Sequence, residues 1–188
     1  MKFGGTATGS VGRMRSIGAV VKDACQAVRP VLVVSALSGV TRRLDRGLQA
    51  VVATREAEEA KAGDVIDAFL ADLKMRHCTQ AQEVLPEASA SAYESVLQEQ
   101  LDALRIRLNT VADTGFTPAL RDAVLATGEQ MSVPMVVATL RAAGLDSAAG
   151  DATALIQTDA TYGEANVQVD DSRARVTDWF AALPDDTV

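Results

Sequence analysis

Val31 to Val34 is an uninterrupted aliphatic run, Val-Leu-Val-Val, directly after Arg29-Pro30. A run apolar at every position, and not at every second one, predicts a central strand covered on both faces, as in parallel sheets. The residue before a proline avoids helical angles, so the helix upstream ends at Arg29. That helix is predicted from Val11 to about Val28, with Met14, Ile17, Val20, Val21, Ala24 and Val28 at helical spacing. Ahead of it only Met1, Lys2 and Phe3 precede Gly4, where a buried strand usually runs about five residues. This end reads either as truncated or as carrying an unusually short first strand. Strand, helix, strand makes a right-handed crossover, so the fold class is α/β.

Both strands hand over to helices through small and hydroxyl residues. The first turn, Gly4-Gly5-Thr6-Ala7-Thr8-Gly9-Ser10, follows Lys2. Glycines remove the side chains that would keep a ligand off the backbone. Free amides at a helix start, beside a fixed ammonium, suit a phosphate. The plainer alternative is a tight turn with a surface lysine, because glycine motifs this short recur by chance. The second turn is Ser35-Ala36-Leu37-Ser38-Gly39-Val40-Thr41. Ligands of open parallel sheets sit at the carboxyl ends of strands, so both turns are predicted to face one crevice. For Ser35 and Thr41 taken alone, local capping is the simpler alternative to ligation.

Arg42 to about Asp113 reads as a helical excursion with breaks near Ala62-Gly63 and Leu85-Pro86. Its charge clusters, such as Arg55 to Lys61, read as solvated faces. His77-Cys78 lacks ligand spacing and a second pair, so no metal site is expected. Thr117-Pro118 is a helix start, with a hydroxyl N-cap and proline at the first helical position. That helix is predicted to end at Gly128, and a second to run through Met131 and Leu140, placing Glu129 at a helix N-terminus where a carboxylate can serve as a cap. Leu145 to Asp151 reads as a short strand with its turn, Asp159 to Asn166 as turn-rich, and Ser172 to Leu183 as a helix. Asp185 to Val188 reads as a loop entering a further strand.

The 188 residues are enough for a single domain with a sizeable core, and 48% apolar content excludes general disorder. A net charge of −7 argues against a nucleic-acid footprint without arguing against a nucleotide. No apolar run approaches a membrane span, and no apolar leader segment is seen, so neither membrane insertion nor export is expected. Cys25 and Cys78 are expected to be free thiols in a reducing cytoplasm.

Three signatures stand in order: Lys2-Phe3-Gly4-Gly5-Thr6, then Val33-Val34-Ser35-Ala36 with Ser38-Gly39-Val40-Thr41, then Thr127-Gly128-Glu129-Gln130-Met131-Ser132. Together they closely resemble aspartate kinase, of the amino acid kinase superfamily, over essentially the whole chain. The resemblance implies a three-layer αβα sandwich in which this chain, as one domain over residues 1–188, forms the N-terminal, amino-acid-binding part. It implies transfer of the γ-phosphate of ATP, accompanied by Mg²⁺, to the side-chain carboxylate of L-aspartate, an early step toward lysine, threonine and methionine. By the family pattern Lys2 is catalytic, neutralising charge on the transferring phosphoryl group. Lys2, Gly4, Gly5 and Thr6 hold phosphate. Ser35, Thr41 and Glu129 hold aspartate, with Glu129 the partner of its ammonium.

The departures from the family are specific. Arg42 stands where the family has asparagine, and Thr6-Ala7-Thr8 where it has Thr-Ser-Val. The chain ends before the family's Gly-Phe strand and Gly-Arg-Gly-Gly-Ser-Asp turn, and before its regulatory domains. Most of the nucleotide half is therefore expected to be missing, kinase activity of the chain alone to be little or none, and an open sheet edge to favour self-association into homo-oligomers. Two alternatives stand beside aspartate kinase. One is a relative that phosphorylates another carboxylate or a carbamate. The other is a non-catalytic amino-acid-binding or interaction module.

Overall fold

A computed structural model describes residues 1–57, 61–185 and 187–188. Strands β1 (Lys2–Phe3) and β2 (Val33–Val34) are parallel neighbours, Lys2 opposite Val33 and Phe3 opposite Val34. The ladder is closed by Val33 N–H to Met1 O at 2.8 Å and Ser35 N–H to Phe3 O at 3.0 Å. Between the strands lie a single turn, α1 (Gly5–Thr8), and the crossover helix α2 (Val11–Ala24). The crossover read from the sequence is therefore present.

The second strand departs from expectation. It is two residues long, and Val31 and Val33 are 51% and 59% exposed. Leu32 and Val34 pack against the core. The strand thus alternates, one face in and one out, and is not covered on both sides. Alternation and a continuous apolar run coincide here because the outward positions also carry valine.

The bulk of the chain is helical: α3 (Val40–Glu56), α4 (Ala62–Val84), α5 (Glu87–Thr114) and α6 (Pro118–Ala142) pack on one another, and α6 also packs on β2 and α2. The excursion breaks where it was expected to. Pro86 is the N-cap of α5, and Leu85 before it is extended, because the proline ring clashes with a preceding residue in the helical region. Part of the charge cluster from Arg55 to Lys61, residues 58–60, lies outside the described residues, while Arg55, Glu56 and Lys61 are exposed. The core is built from the inward faces of these helices, including Leu44, Leu48, Leu73, Leu97, Leu104, Leu108, Met131 and Met135.

Helix α6 corrects the sequence reading. It is one continuous 25-residue helix, starting at the Thr117 cap, whose hydroxyl accepts from Leu120 N–H, and running through both Gly128 and Pro134. Gly128 is a packing glycine. A Cβ there would lie 3.0 Å from Ala36 Cβ and 3.1 Å from Leu44 Cδ1. Joined into one element, α6 is long and apolar enough to cross a membrane by length and composition, and half of its most apolar stretch is buried inside this fold.

The C-terminal part is looser. The strand expected over 145–151 is absent. That segment is extended at its start and pairs with the last residue, through Ala148 N–H to Val188 O and Val188 N–H to Asp146 O, both 2.9 Å. Helix α7 (Ala152–Leu155) follows, then an isolated antiparallel bridge between Thr158 and Val167, then α8 (Val169–Ala181), which starts three residues earlier than expected. The intervening turn is built on Asp159, whose carboxylate accepts from Asn166 Nδ2 and from the amides of Thr161 and Asn166, holding its pKa down to about 2.

Candidate functional site

Parallel pairing puts the carboxyl ends of β1 and β2 side by side, so the two turns that leave them are neighbours. Gly5 is where they meet. A Cβ on it would lie 3.3 Å from Ala36 O and 3.6 Å from Ser38 Cα. Gly9 is tighter still, its notional Cβ 2.5 Å from Ser38 Cβ. At Gly4 nothing lies within 4 Å of that position. Two glycines therefore serve turn-to-turn packing, and Gly4 opens onto free space. Helix α1 begins its bonding with Ala7 and Thr8 N–H to Gly4 O, which leaves the Gly5 and Thr6 amides outside the helical ladder. That is a donor set a phosphate oxygen can use, and Lys2 and Thr6 beside it are exposed.

The second turn owes its shape to Gly39, at φ +80°, where any side chain would strain the backbone. Gly39 is also the N-cap of α3. Ser35 is half-buried, with its carbonyl accepting from Ser132 Oγ at 2.9 Å. Thr41 lies exposed in the first turn of α3, and no hydrogen bond among the described residues ties it to the others.

Glu129 is not a helix cap. It sits within α6, half-buried, and its Oε1 accepts from Ala36 N–H at 3.1 Å. Gly128 makes this possible by letting α6 approach the β2–α3 turn. The structure thus brings Lys2, Gly4, Gly5, Thr6, Ser35 and Glu129 to one end of the sheet, with Thr41 in the first turn of α3, directly after the second turn.

Several polar residues that support this end carried no assigned role in the sequence. Thr8 is wholly buried, and its hydroxyl is shared between Ala36 O at 3.2 Å and Gly5 O at 3.3 Å. Gln80 on α4 donates from Nε2 to Thr8 O at 2.6 Å. Tyr93 on α5 donates to Met131 O at 3.0 Å, and burial drives its phenol pKa up beyond the usual titration range. Gln80 was findable: it continues the buried stripe of Leu70, Leu73 and His77, and a polar group on a buried face needs a partner. Cavities of about 480 and 280 Å³ lie along α4 and α5, and neither is lined by a residue of the three signatures. Among the described residues no three of His, Cys, Asp or Glu come together as a metal site.

The pattern of the amino acid kinase family matches residues 1–183. The chain therefore belongs to the amino acid kinase family. Within that family the resemblance to aspartate kinase is borne out by its relatives. The bifunctional aspartokinase/homoserine dehydrogenase 1, chloroplastic, of Arabidopsis thaliana is 28% identical over 182 residues, which is 95% of this chain and 19% of that protein. The crystal structure of E. coli aspartokinase III in complex with aspartate and ADP (R-state) superposes with a TM-score of 0.75 at 21% identity, covering 95% of this chain and 36% of the other. The same enzyme in complex with lysine and aspartate (T-state) gives 0.71 at 24% identity, covering 96% and 37%. This chain thus spans about a fifth of the plant protein and little more than a third of the bacterial one.

Proposed function

We propose that this chain forms the aspartate-binding part of an aspartate kinase catalytic domain, one domain that takes its place in a three-layer αβα sandwich. The reaction is transfer of the γ-phosphoryl group of ATP to the side-chain carboxylate of L-aspartate, giving 4-phospho-L-aspartate. One observation carries the reading: the Glu129 carboxylate is fixed to the Ala36 amide, at the end of the sheet where the Lys2 turn also opens. A carboxylate so anchored can receive an ammonium without moving. Ser35 and Thr41 serve the same substrate. The exposed Lys2 ammonium and the amides around Gly4, Gly5 and Thr6 form the phosphate side, and Lys2 offsets charge as the phosphoryl group transfers. Phosphoryl transfer needs such positioning and charge compensation more than covalent chemistry. Mg²⁺ bound with ATP would supply charge neutralisation on the phosphates, beside the Lys2 ammonium. The bacterial complexes, with aspartate and ADP and with lysine and aspartate, support amino-acid and nucleotide ligands of this kind.

Calorimetry on the purified chain tests this. Glu129→Gln keeps an acceptor for Ala36 N–H and removes the charge, so it should weaken L-aspartate binding by about 10- to 100-fold while leaving the melting temperature near wild type. Equal aspartate affinity in the two proteins, or none in wild type, would sink the reading. A second reading is a non-catalytic amino-acid-binding module. Aspartate binding with no ATP binding and no ATP turnover selects it.

A further inference from the structure

The helical excursion reaches back to the site at one point that neither the glycine turns nor Glu129 explains. Gln80 is 4% exposed, four residues from the C-terminal end of α4, and its amide is spent on the main-chain carbonyl of Thr8 at 2.6 Å. Thr8 closes α1, and its hydroxyl, wholly buried, bridges Gly5 O in the first turn and Ala36 O in the second. Ala36 in turn gives its N–H to Glu129. A single relay of hydrogen bonds therefore runs Gln80, Thr8, Ala36, Glu129 across α4, both turns and α6. Arg76, one helical turn earlier on α4, lies beside the same region, 3.5 Å from Ser38 O.

We infer that Gln80 is a positioning residue that sets the phosphate-side turn against the amino-acid-side turn, with Thr8 as the coupler. The reason is geometric. A helix as short as α1 has little intrinsic stability, and the parallel pair beneath it holds only two residues per strand. Something outside the sheet must hold the turns, and α4 is the long rigid element that reaches them. Removing the Gln80 donor leaves the buried Thr8 carbonyl without its partner, a penalty relieved by letting the turn move. This rests on the proposed reading only for the identity of the ligand.

The test uses the full 188-residue chain and amide hydrogen exchange, with aspartate calorimetry beside it. Gln80→Met keeps the side-chain length and loses the donor. The expected result is about tenfold faster exchange at residues 5–9 and 36–38, with α5 unchanged, and a loss of aspartate affinity of about fivefold or more. Gln80→Glu supplies a rescue that a packing role would not show. Its neutral carboxylic acid can donate to Thr8 O and its carboxylate cannot, so protection factors at residues 5–9, corrected for the intrinsic slowing of exchange in acid, should return toward wild type as pH falls. In a Thr8→Val background, which removes the coupler, Gln80→Met should still loosen residues 5–9 and no longer affect 36–38. Exchange that rises throughout the chain, or only within α4, overturns the inference. If wild type binds no aspartate, the functional reading falls, and the exchange pattern still decides this one.

Discussion

At the scale of single residues, the glycines divide by what stands opposite them. Gly9→Ala places a methyl group 2.5 Å from Ser38 Cβ and 2.7 Å from Gly5 O, and backbone cannot yield as a flexible side chain can. Overpacking of this kind costs about 2 kcal/mol. Gly4→Ala meets nothing within 4 Å and should stay within about 0.5 kcal/mol of wild type. Urea midpoints separate the two, and equal midpoints would refute the division. The sequence showed a glycine-rich turn and singled out Gly4 and Gly5. It could not show that Gly5 and Gly9 face another turn, because that depends on β2, some thirty residues away (about 28 for the Thr8–Ala36 bond). Glu129 was singled out from its motif, and the structure places it against the second turn through Ala36 N–H. Its reading as a cap failed because Gly128 was taken as a helix stop, when it is a point of close helix-to-turn approach.

At the scale of elements, α4 carries the clearest dependence on pH. His77 is fully buried, with Nδ1 against Leu73 O at 2.9 Å and Nε2 without a partner among the described residues. Burial lowers its pKa, a shift opposed by the Leu73 contact and reinforced by the Arg76 charge. The unfolded chain then binds the proton more readily than the folded one, so stability is complete above the unfolded value of about 6.5 and declines as pH falls below it. The slope is at most about 1.4 kcal/mol per pH unit. Denaturant midpoints taken between about pH 7.5 and 5.5 should fall for wild type and stay level for His77→Phe. A wild-type midpoint constant over that window would contradict the account, and His77 is the chain's single histidine. Elements with unbroken periodicity, such as α3 to α5, were legible in full. The strands were not. Two residues are too short for a period, and valine on the solvent side hides the alternation.

At the scale of the whole molecule, the described structure is a helical body with a small parallel sheet at one margin. The outward positions of that margin are apolar: Val33 on the strand and Val31 just ahead of it, with Val28 61% exposed further upstream. An unpaired, apolar strand edge is a template for another chain. We expect the purified protein to self-associate with rising concentration, and Val33→Lys to shift light scattering toward the monomer. A wild-type monomer that stays monodisperse at high concentration would remove this expectation. Such behaviour could be anticipated from the run Val31 to Val34, although for a different reason than the one the structure supplies. The run was read as covered on both faces, and one of its two faces is exposed.

The relay through Ala36 also has a cost in time. Ala36 and Glu129 are separated by 93 residues, and Gln80 follows Thr8 by 72. A ribosome adding about 5–20 residues each second delivers Thr8 roughly 4–14 s before Gln80, and Ala36 roughly 5–19 s before Glu129. During synthesis the part of the chain that the site depends on most is therefore born early and finished late.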